Sequence, residues 1–255
     1  MGSAPTTLET ADGVRLAARW WEPASTNGDA VVVVHGFAAR KDQPAVQEVA
    51  RHLVAAGHSV LTYDSRGHGE SGGLCTLGEL ERLDVDAAVA AARDHADSVV
   101  VVGTSMGGVA VLNHMAANGG ITDGVGARGA VVVATPARWE IPRTLRGAAS
   151  VMITQTSPGR IMAARRFQTR LAVRPERGDP PVERICLVGK PVAVVHGLAD
   201  RFLPAAAATA LFTAAREPRR LDLVPGMGHG FCVAALGPVE SAVAWVMRTA
   251  PAGTV

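Results

Sequence analysis

The feature that most constrains the fold is a run of four valines that leads through a glycine-bracketed serine into a helical pattern. Residues Val99–Val102 predict a buried strand, and residues Gly107 to His114 predict the start of a helix. Between them, Gly103-Thr-Ser105-Met-Gly107 matches the G-x-S-x-G nucleophile elbow. A strand that turns abruptly into a helix strains the backbone of the serine, and glycines leave room for that turn. The pattern therefore predicts that Ser105 lies at a helix N-terminus, where developing negative charge is favoured.

Short apolar runs alternate with longer helical patterns along the rest of the chain. The first two runs flank Ala11-Asp-Gly13, a turn signal that predicts an antiparallel hairpin. The later runs are continuously apolar, which is typical of a parallel sheet covered by helices on both faces. The predicted strands span residues 6–10, 14–21, 30–34, 59–63, 98–102, 129–134, 191–195 and 220–224. The predicted helices, besides the one after Ser105, span 43–56, 77–95, 204–216 and 238–249. The sequence therefore predicts the α/β class.

One segment, residues 136–190, interrupts this alternation. It shows no clear strand pattern and carries ten arginines and one lysine against four acidic residues, a net charge of +7. We predict a core made of 1–135 and 191–255, with 136–190 inserted as a helical cap over the carboxyl edge of the sheet. The basic charge fits a solvated helical surface whose long side chains cover apolar groups, or an electrostatic funnel for an anionic substrate or an acyl carrier.

Two further loops carry side chains that could activate the serine. A serine hydroxyl is a poor nucleophile unless a base takes its proton and a third group orients that base. Asp200 lies on the loop after the strand predicted at 191–195, and His229 lies on a glycine-rich loop after the strand at 220–224. The chain order serine, aspartate, histidine is the one expected of an α/β-hydrolase. We therefore predict a catalytic triad of Ser105, Asp200 and His229.

An early strand end supplies the remaining element of such a site. Val31–Val34 is followed directly by His35-Gly-Phe37, which predicts a tight turn. There the backbone N–H of Phe37 can join that of Met106 to hold the oxygen of a tetrahedral intermediate. One such donor is typically worth on the order of 10²–10³ in turnover. We predict Phe37 and Met106 as the oxyanion hole, with His35 holding the turn.

With these motifs and the segment Tyr63-Asp-Ser-Arg-Gly-His-Gly-Glu-Ser71, the chain resembles the α/β-hydrolase superfamily of serine hydrolases from about residue 6 to 250. The resemblance implies an eight-stranded, mostly parallel sheet with helices on both faces and a cap inserted after the sixth strand. It also implies that Asp64, Arg66 and His68 brace the sheet edge. Within the superfamily, His35-Gly-Phe37 followed by Arg40-Lys41 and a cap of this length is similar to small capped carboxylesterases of the cinnamoyl and feruloyl type.

The function expected from these residues is hydrolysis of a small-molecule carboxylic ester through an acyl-enzyme, without metal or cofactor. Acyl thioesterases acting on acyl-CoA or acyl-carrier substrates share the triad, as do perhydrolases and carbon–carbon bond hydrolases. Ser105 at the elbow argues against the related haloalkane dehalogenases and epoxide hydrolases, which use aspartate there. A peptidase would be expected to carry a propeller or an acidic site for the substrate amine, and the sequence suggests neither. A ligand receptor that keeps the fold without turnover is a further alternative.

The cap supplies the candidates for the substrate pocket. We expect the aromatic side chains of Trp139 and Phe167 to line an acyl pocket. Met152, Met162 and Ile161 could contribute to the same pocket or form a core within the cap.

Composition excludes several other classes of protein. A net charge of +2 over 255 residues does not suggest a nucleic-acid-binding surface. No apolar run approaches the roughly 18 residues that a membrane span requires, and the first residues lack the pattern of a secretory signal. Cys75, Cys186 and Cys232 are odd in number and far apart, which favours a reducing compartment. We therefore expect a cytoplasmic protein.

Overall fold

The structure is a computed structural model that describes residues 2–117, 126–139, 145–175 and 177–250. Its strands are β1 Gly2–Glu9, β2 Arg15–Glu22, β3 Asp29–Val34, β4 Ser59–Tyr63, β5 Ser98–Thr104, β6 Gly129–Val133, β7 Val192–Gly197 and β8 Arg219–Val224. Its α-helices are α1 Pro44–Ala55, α2 Glu81–Arg93, α3 Met106–Ala117, α4 Leu145–Gln155, α5 Ser157–Phe167, α6 Pro181–Ile185, α7 Ala205–Ala214 and α8 Leu236–Thr249.

The strands form one eight-stranded sheet in the order β1-β2-β4-β3-β5-β6-β7-β8. Strands β1 and β2 pair as an antiparallel hairpin, and β2 runs antiparallel to β4. All pairs from β4 and β3 through to β8 are parallel. The expected eight-stranded, mostly parallel sheet with helices is confirmed. Since β3, β5, β6, β7 and β8 all point the same way, the loops that follow them meet at one edge.

The central strands are buried on both faces because their valines alternate between two hydrophobic clusters. In β5, Val99 and Val101 pack with helices α2 and α3, whereas Val100 and Val102 pack with α1 and α8. All four side chains have no exposed surface. Full burial of such a side chain is worth about 1.5–3 kcal/mol relative to exposure. Continuous burial explains why these strands show no polar alternation in the sequence.

Helix α2 begins at Glu81, four residues later than the 77–95 prediction. The Glu81 carboxylate accepts hydrogen bonds from the Thr76 and Gly78 backbone N–H groups and from the Thr76 hydroxyl. Leu77 has φ of 64°, a left-handed conformation that a helix does not admit. The predicted first turn of the helix is therefore a loop held by the buried Glu81.

Helices α4, α5 and α6 lie between β6 and β7, in the segment predicted as a cap. Glu140, Arg143 and Glu176 of that segment lie outside the described residues. Isolated bridges join His68 to Thr169 and Cys75 to Leu171. These bridges tie the end of α5 to the loop after β4. The division into core and cap stays a prediction.

None of the described helices is both long enough and apolar enough to cross a membrane.

Candidate active site

The turn between β5 and α3 holds Ser105 in a left-handed conformation with φ of 53°. The residues two positions before and after it must be glycines because the chain passes too close there for a side chain. A Cβ at Gly103 would lie 2.5 Å from the carbonyl oxygen of Gly107, and one at Gly107 would meet the carbonyl oxygens of Val34 and His35. The strain at the serine is imposed by this packing, as the elbow pattern predicts.

The loops after β7 and β8 bring two side chains to this serine. The His229 Nε2 atom lies 3.1 Å from Ser105 Oγ, and its Nδ1 atom lies 2.7 Å from Asp200 Oδ2. With Nδ1–H donating to the carboxylate, Nε2 is free to accept the serine proton. The three predicted residues, 124 positions apart between serine and histidine, thus form one chain of hydrogen bonds.

Asp200 is fixed by its own loop before it contacts the histidine. Its Oδ1 atom accepts hydrogen bonds from the backbone N–H groups of Phe202, at 2.7 Å, and Leu203, at 3.0 Å. Burial acts to raise the pKa of Asp200, but the hydrogen bonds from His229 and these amides outweigh it and lower the pKa below its usual value. The carboxylate is therefore ionised and held opposite Nδ1.

The predicted oxyanion donors lie close to Ser105. Phe37 and Met106 line one cavity together with the serine. Met106 is the first residue of α3, so its N–H is among those without an intrahelical acceptor. Within the part of the chain that the structure describes, neither amide has a hydrogen-bond acceptor. Both N–H groups are available to a substrate oxygen.

His35 holds the turn that carries Phe37. Its Nδ1 atom lies 2.8 Å from the Gly36 carbonyl oxygen, and its Nε2 atom accepts the Ser65 backbone N–H at 3.0 Å. Burial lowers the pKa of His35 to about 4, so the ring is neutral at physiological pH. These contacts agree with the expected structural role.

The loop after β4 is braced by two buried ion pairs. The Lys41 ammonium lies 3.0 Å from Asp64 Oδ2, and the Lys41 backbone N–H donates to Asp64 Oδ1 at 2.7 Å. The Arg66 guanidinium donates to Asp84 at 2.8 Å. His68 packs edge-on against His35, with ring centroids 5.0 Å apart. Asp64, Arg66 and His68 therefore make the bracing contacts that the resemblance implies.

Comparison with known proteins supplies the family. Residues 26–186 match the family described as serine aminopeptidase, S33. The chain belongs to this family. The matched region contains Ser105 but ends before Asp200 and His229. The expected α/β-hydrolase fold is confirmed, and this S33-family chain is a serine hydrolase.

Individual relatives agree with this assignment. An uncharacterized protein of Mycobacterium tuberculosis is 30% identical over 232 residues, covering 87% of this chain and 70% of the relative. A monoacylglycerol lipase of Mycolicibacterium smegmatis is 28% identical, covering 85% and 86%. The fold is shared with the Pf2001 esterase of Pyrococcus furiosus, with a TM-score of 0.71, 18% identity and coverage of 97% and 92%. It is also shared with the RhEst1 esterase of a Rhodococcus species, with a TM-score of 0.67, 20% identity and coverage of 96% and 99%.

Two cavities of the hydrolase meet at Ser105. The first has a volume of about 160 Å³ and lies between the elbow and the cap segment. Its walls are Phe37, Leu77, Ser105, Met106, Val109, Pro136, Arg138, Trp139, Ser150, Thr154, Arg177, Phe202 and Leu203. The second has a volume of about 180 Å³ and lies beside His229, towards the start of α1. Its walls are Gly36, Phe37, Ala39, Gln43, Ala45, Val46, Thr104, Ser105, His229, Gly230 and Phe231. We call these the cap cavity and the histidine cavity.

Of the cap residues predicted for the pocket, Trp139 lines the cap cavity, whereas Phe167, Met152 and Met162 do not. Met152 is 61% exposed and Met162 is 44% exposed. On α4 the cavity is lined by Ser150 and Thr154, which are four residues apart and share a face. Met152, two residues on from Ser150, projects from the opposite face. Residue type alone, without helical phase, therefore did not identify the side chains of α4 that line this cavity.

Phe167 is not among the wall residues of the cap cavity. It packs on a small buried cluster of Cys75, Met106, Ala163 and Leu171. Met106, the residue after Ser105, belongs to this cluster. Ile161, the further candidate, is 53% exposed and lies outside both cavity walls.

Several wall residues were missed by sequence reasoning. Phe202 lies two residues beyond Asp200, and its ring packs edge-on against His229 with centroids 4.9 Å apart. Its closeness to the predicted acid was a usable signal. Arg138 and Arg177 are separated by 39 positions, and no local pattern distinguishes them from the other arginines of the segment.

Proposed function

We propose that this protein is an esterase that cleaves small carboxylic esters through a covalent acyl-enzyme. The observation that carries the proposal is the relay from Ser105 Oγ through His229 to Asp200, with separations of 3.1 and 2.7 Å. Donor and acceptor within hydrogen-bond reach, with the base oriented by a buried carboxylate, is the arrangement that nucleophilic catalysis requires.

In the proposed first half-reaction, Ser105 Oγ attacks the ester carbonyl carbon while its proton passes to His229 Nε2. Asp200 stabilises the imidazolium, and the Phe37 and Met106 N–H groups bind the oxyanion. As the tetrahedral intermediate collapses, the carbon–oxygen bond to the alcohol breaks. His229 returns the proton to the leaving oxygen.

In the second half-reaction, water takes the place of the alcohol. His229 removes a proton from the water as its oxygen attacks the acyl carbon, and the same amides bind the second oxyanion. Collapse releases the carboxylic acid and restores the proton to Ser105. Only groups of this chain and water take part.

The cap cavity supports a small acyl group rather than a peptide with a free amino terminus. A cavity of about 150 Å³ holds a benzene-sized ligand, and this one has a volume of about 160 Å³. A cationic amino terminus needs an acidic partner, whereas the charged residues among the described walls are arginines. We propose that residues 136–190 act as the cap that closes this cavity.

Labelling with a fluorophosphonate probe, together with hydrolysis of para-nitrophenyl esters of increasing chain length, tests the proposal. We expect labelling and turnover in the wild type and the loss of both in Ser105→Ala. Ser157→Ala, at an exposed serine of α5, serves as the matched control and should keep both. Equal labelling and turnover in Ser105→Ala would overturn the proposed nucleophile.

A thioesterase is the second candidate, favoured by the two arginines at the cap cavity. Acyl-CoA carries phosphates that arginine binds well. Matched acyl-CoA thioesters, assayed beside the ester panel, separate the two activities. Higher kcat/KM for the thioesters would move the assignment to a thioesterase.

The cytoplasmic location stays a prediction.

A further inference from the structure

Two guanidinium groups stand out in the otherwise neutral wall of the cap cavity. The described wall residues other than Arg138 and Arg177 are apolar or carry only a hydroxyl group or, in Trp139, an indole N–H. Both arginines are largely exposed, and Arg138 also borders an open cleft along α7. They therefore stand at the rim, where each guanidinium reaches solvent and the cavity.

Neither guanidinium is neutralised by a carboxylate in the part of the chain that the structure describes. The ion pairs of this region join Arg184 to Asp179 instead. Glu140 and Glu176, which lie close to the two arginines in sequence, are outside the described residues. Two positive charges that no described carboxylate pairs, beside an apolar cavity, attract an anion more strongly than they would in bulk water.

The backbone next to Arg177 is anchored to other parts of the protein, and the Arg177 side chain contacts Trp139. Its guanidinium carbon lies 5.6 Å from the centroid of the Trp139 ring. The indole N–H of Trp139 donates to the Gly178 carbonyl oxygen at 2.9 Å, and the Gly178 N–H donates to Glu79 at 3.1 Å. This chain of contacts links the segment to the loop before α2. Arg177 is thus held against a wall of the cavity that carries Ser105.

The backbone beside Arg138 is held as well. The carbonyl oxygen of Ala137 accepts the Val182 N–H at 2.9 Å, which joins the segment after β6 to α6. Both arginines therefore project from anchored backbone. Anchoring reduces the conformational entropy that an ordered contact with a ligand would cost.

The two cavities distinguish the two halves of the substrate. His229, which donates a proton to the leaving oxygen in the proposed mechanism, lines the histidine cavity and not the cap cavity. The leaving alcohol is therefore directed towards the histidine cavity. The acyl group then occupies the cap cavity, with its far end at the arginine rim.

We propose that the acyl group of the substrate ends in a carboxylate bound by Arg138 and Arg177, so that the substrate is a monoester of a short dicarboxylic acid. This inference rests on the proposed esterase function. Arginine suits the task because its planar fork matches a carboxylate. The cavity volume of about 160 Å³ fits an acyl chain of about six carbons, near the size of benzene.

A matched pair of substrates tests the inference. The para-nitrophenyl monoester of adipic acid and para-nitrophenyl hexanoate have the same chain length and leaving group, but only the first carries a terminal carboxylate. We expect the wild type to favour the adipate ester in kcat/KM by about tenfold or more, since hydrogen bonds to charged groups are the stronger ones. The preference should shrink as salt is added.

Variants then assign the preference to the two side chains. We expect the ratio of kcat/KM for the adipate ester to kcat/KM for the hexanoate ester to fall about tenfold in Arg138→Gln and about tenfold in Arg177→Gln. Arg165→Gln, which removes an exposed arginine of α5 outside the cavity wall, should keep the wild-type ratio. An unchanged ratio in both cavity variants, or an equal fall in Arg165→Gln, would overturn the inference.

A second series checks which half of the substrate carries the charge. 4-Acetoxybenzoate and its methyl ester share an acetyl group and differ in the charge on the leaving phenol. If the arginine variants lower the kcat/KM ratio in this series instead, the acyl assignment is wrong. Hydrolysis of hexanoate that depends on Ser105 but shows no preference for adipate would overturn this inference and leave the proposed esterase intact. Absence of turnover for both esters would overturn the esterase itself.

Discussion

Acid should destabilise this protein through the two buried imidazoles beside the oxyanion turn. His35 and His68 have no exposed surface. Burial lowers the pKa of each from 6.5 to about 4, and the neighbouring imidazole adds to this for His68. The unfolded chain takes up these protons near pH 6.5, whereas the folded protein does so only near pH 4. The contribution of the two neutral imidazoles to the free energy of unfolding is therefore complete above pH 6.5. It is lost as the pH falls towards 4.

The size of the effect follows from the shift. Each unit of pKa difference corresponds to about 1.36 kcal/mol. Between about pH 7.5 and about pH 4.5, each histidine should remove about 2–3 kcal/mol from the free energy of unfolding, and the two together about 5 kcal/mol. That is a large share of the roughly 5–15 kcal/mol that a domain usually has.

The variant His68→Asn isolates one of the two groups. The Nδ1 atom of His68 lies 3.0 Å from the Arg66 carbonyl oxygen, and an asparagine amide can donate to the same oxygen without titrating. Urea unfolding followed by tryptophan fluorescence gives the free energy of unfolding at each pH. We expect the wild type to lose about 2–3 kcal/mol more than this variant over the same pH interval.

A surface variant controls for the loss of a histidine as such. His52 lies on α1 and pairs with Glu240 at 2.6 Å, with 35% of its side chain exposed. His52→Asn, measured in the same way, gives the effect of removing a histidine that is not buried. Identical pH dependence in the wild type and His68→Asn would refute the reasoning, since buried His68 would then not resist protonation in the folded state.

Further predictions concern the triad, the bracing loop and metal dependence. Asp200→Asn should lower kcat by on the order of 10⁴ because an amide opposite Nδ1 favours the wrong His229 tautomer. A loss under about tenfold in a variant with unchanged circular dichroism would contradict this. Lys41→Met should lower the free energy of unfolding by about 3–5 kcal/mol because it leaves Asp64 charged and buried; urea unfolding that shows less than about 1 kcal/mol would rule it out. Dialysis against EDTA should leave ester hydrolysis unchanged, and a loss restored by added metal would disprove the metal-free route.

Much of the fold could be predicted because strand and helix patterns are local. The four consecutive apolar side chains of Val99–Val102 predict a buried strand, and in the structure both faces of this strand are covered. The elbow could also be predicted, because Gly103 and Gly107 occupy positions where a Cβ would collide with backbone atoms. Ser105, Asp200 and His229 could be predicted to lie close together because each follows a strand, and the ends of parallel strands meet at one edge of the sheet.

The pocket walls were less predictable because they depend on helical phase and on contacts between distant segments. Met152 was chosen for its residue type, yet the cavity is lined by Ser150 and Thr154 on the other face of α4. The start of α2 was placed too early because the buried Glu81 carboxylate holds a loop where the periodicity continued.

The sequence by itself determined the class of fold, the position of the elbow and the identity of the residues that the triad needs. Each of these depends on steric constraints between residues close in sequence, or on the order of motifs along the chain, and both can be seen in the sequence. Only the tertiary structure decided which two of many arginines line the cap cavity, and that His229 lines a different cavity from theirs. Those facts arise where segments remote in sequence pack together, so their physical cause is a three-dimensional arrangement that no short stretch of residues encodes.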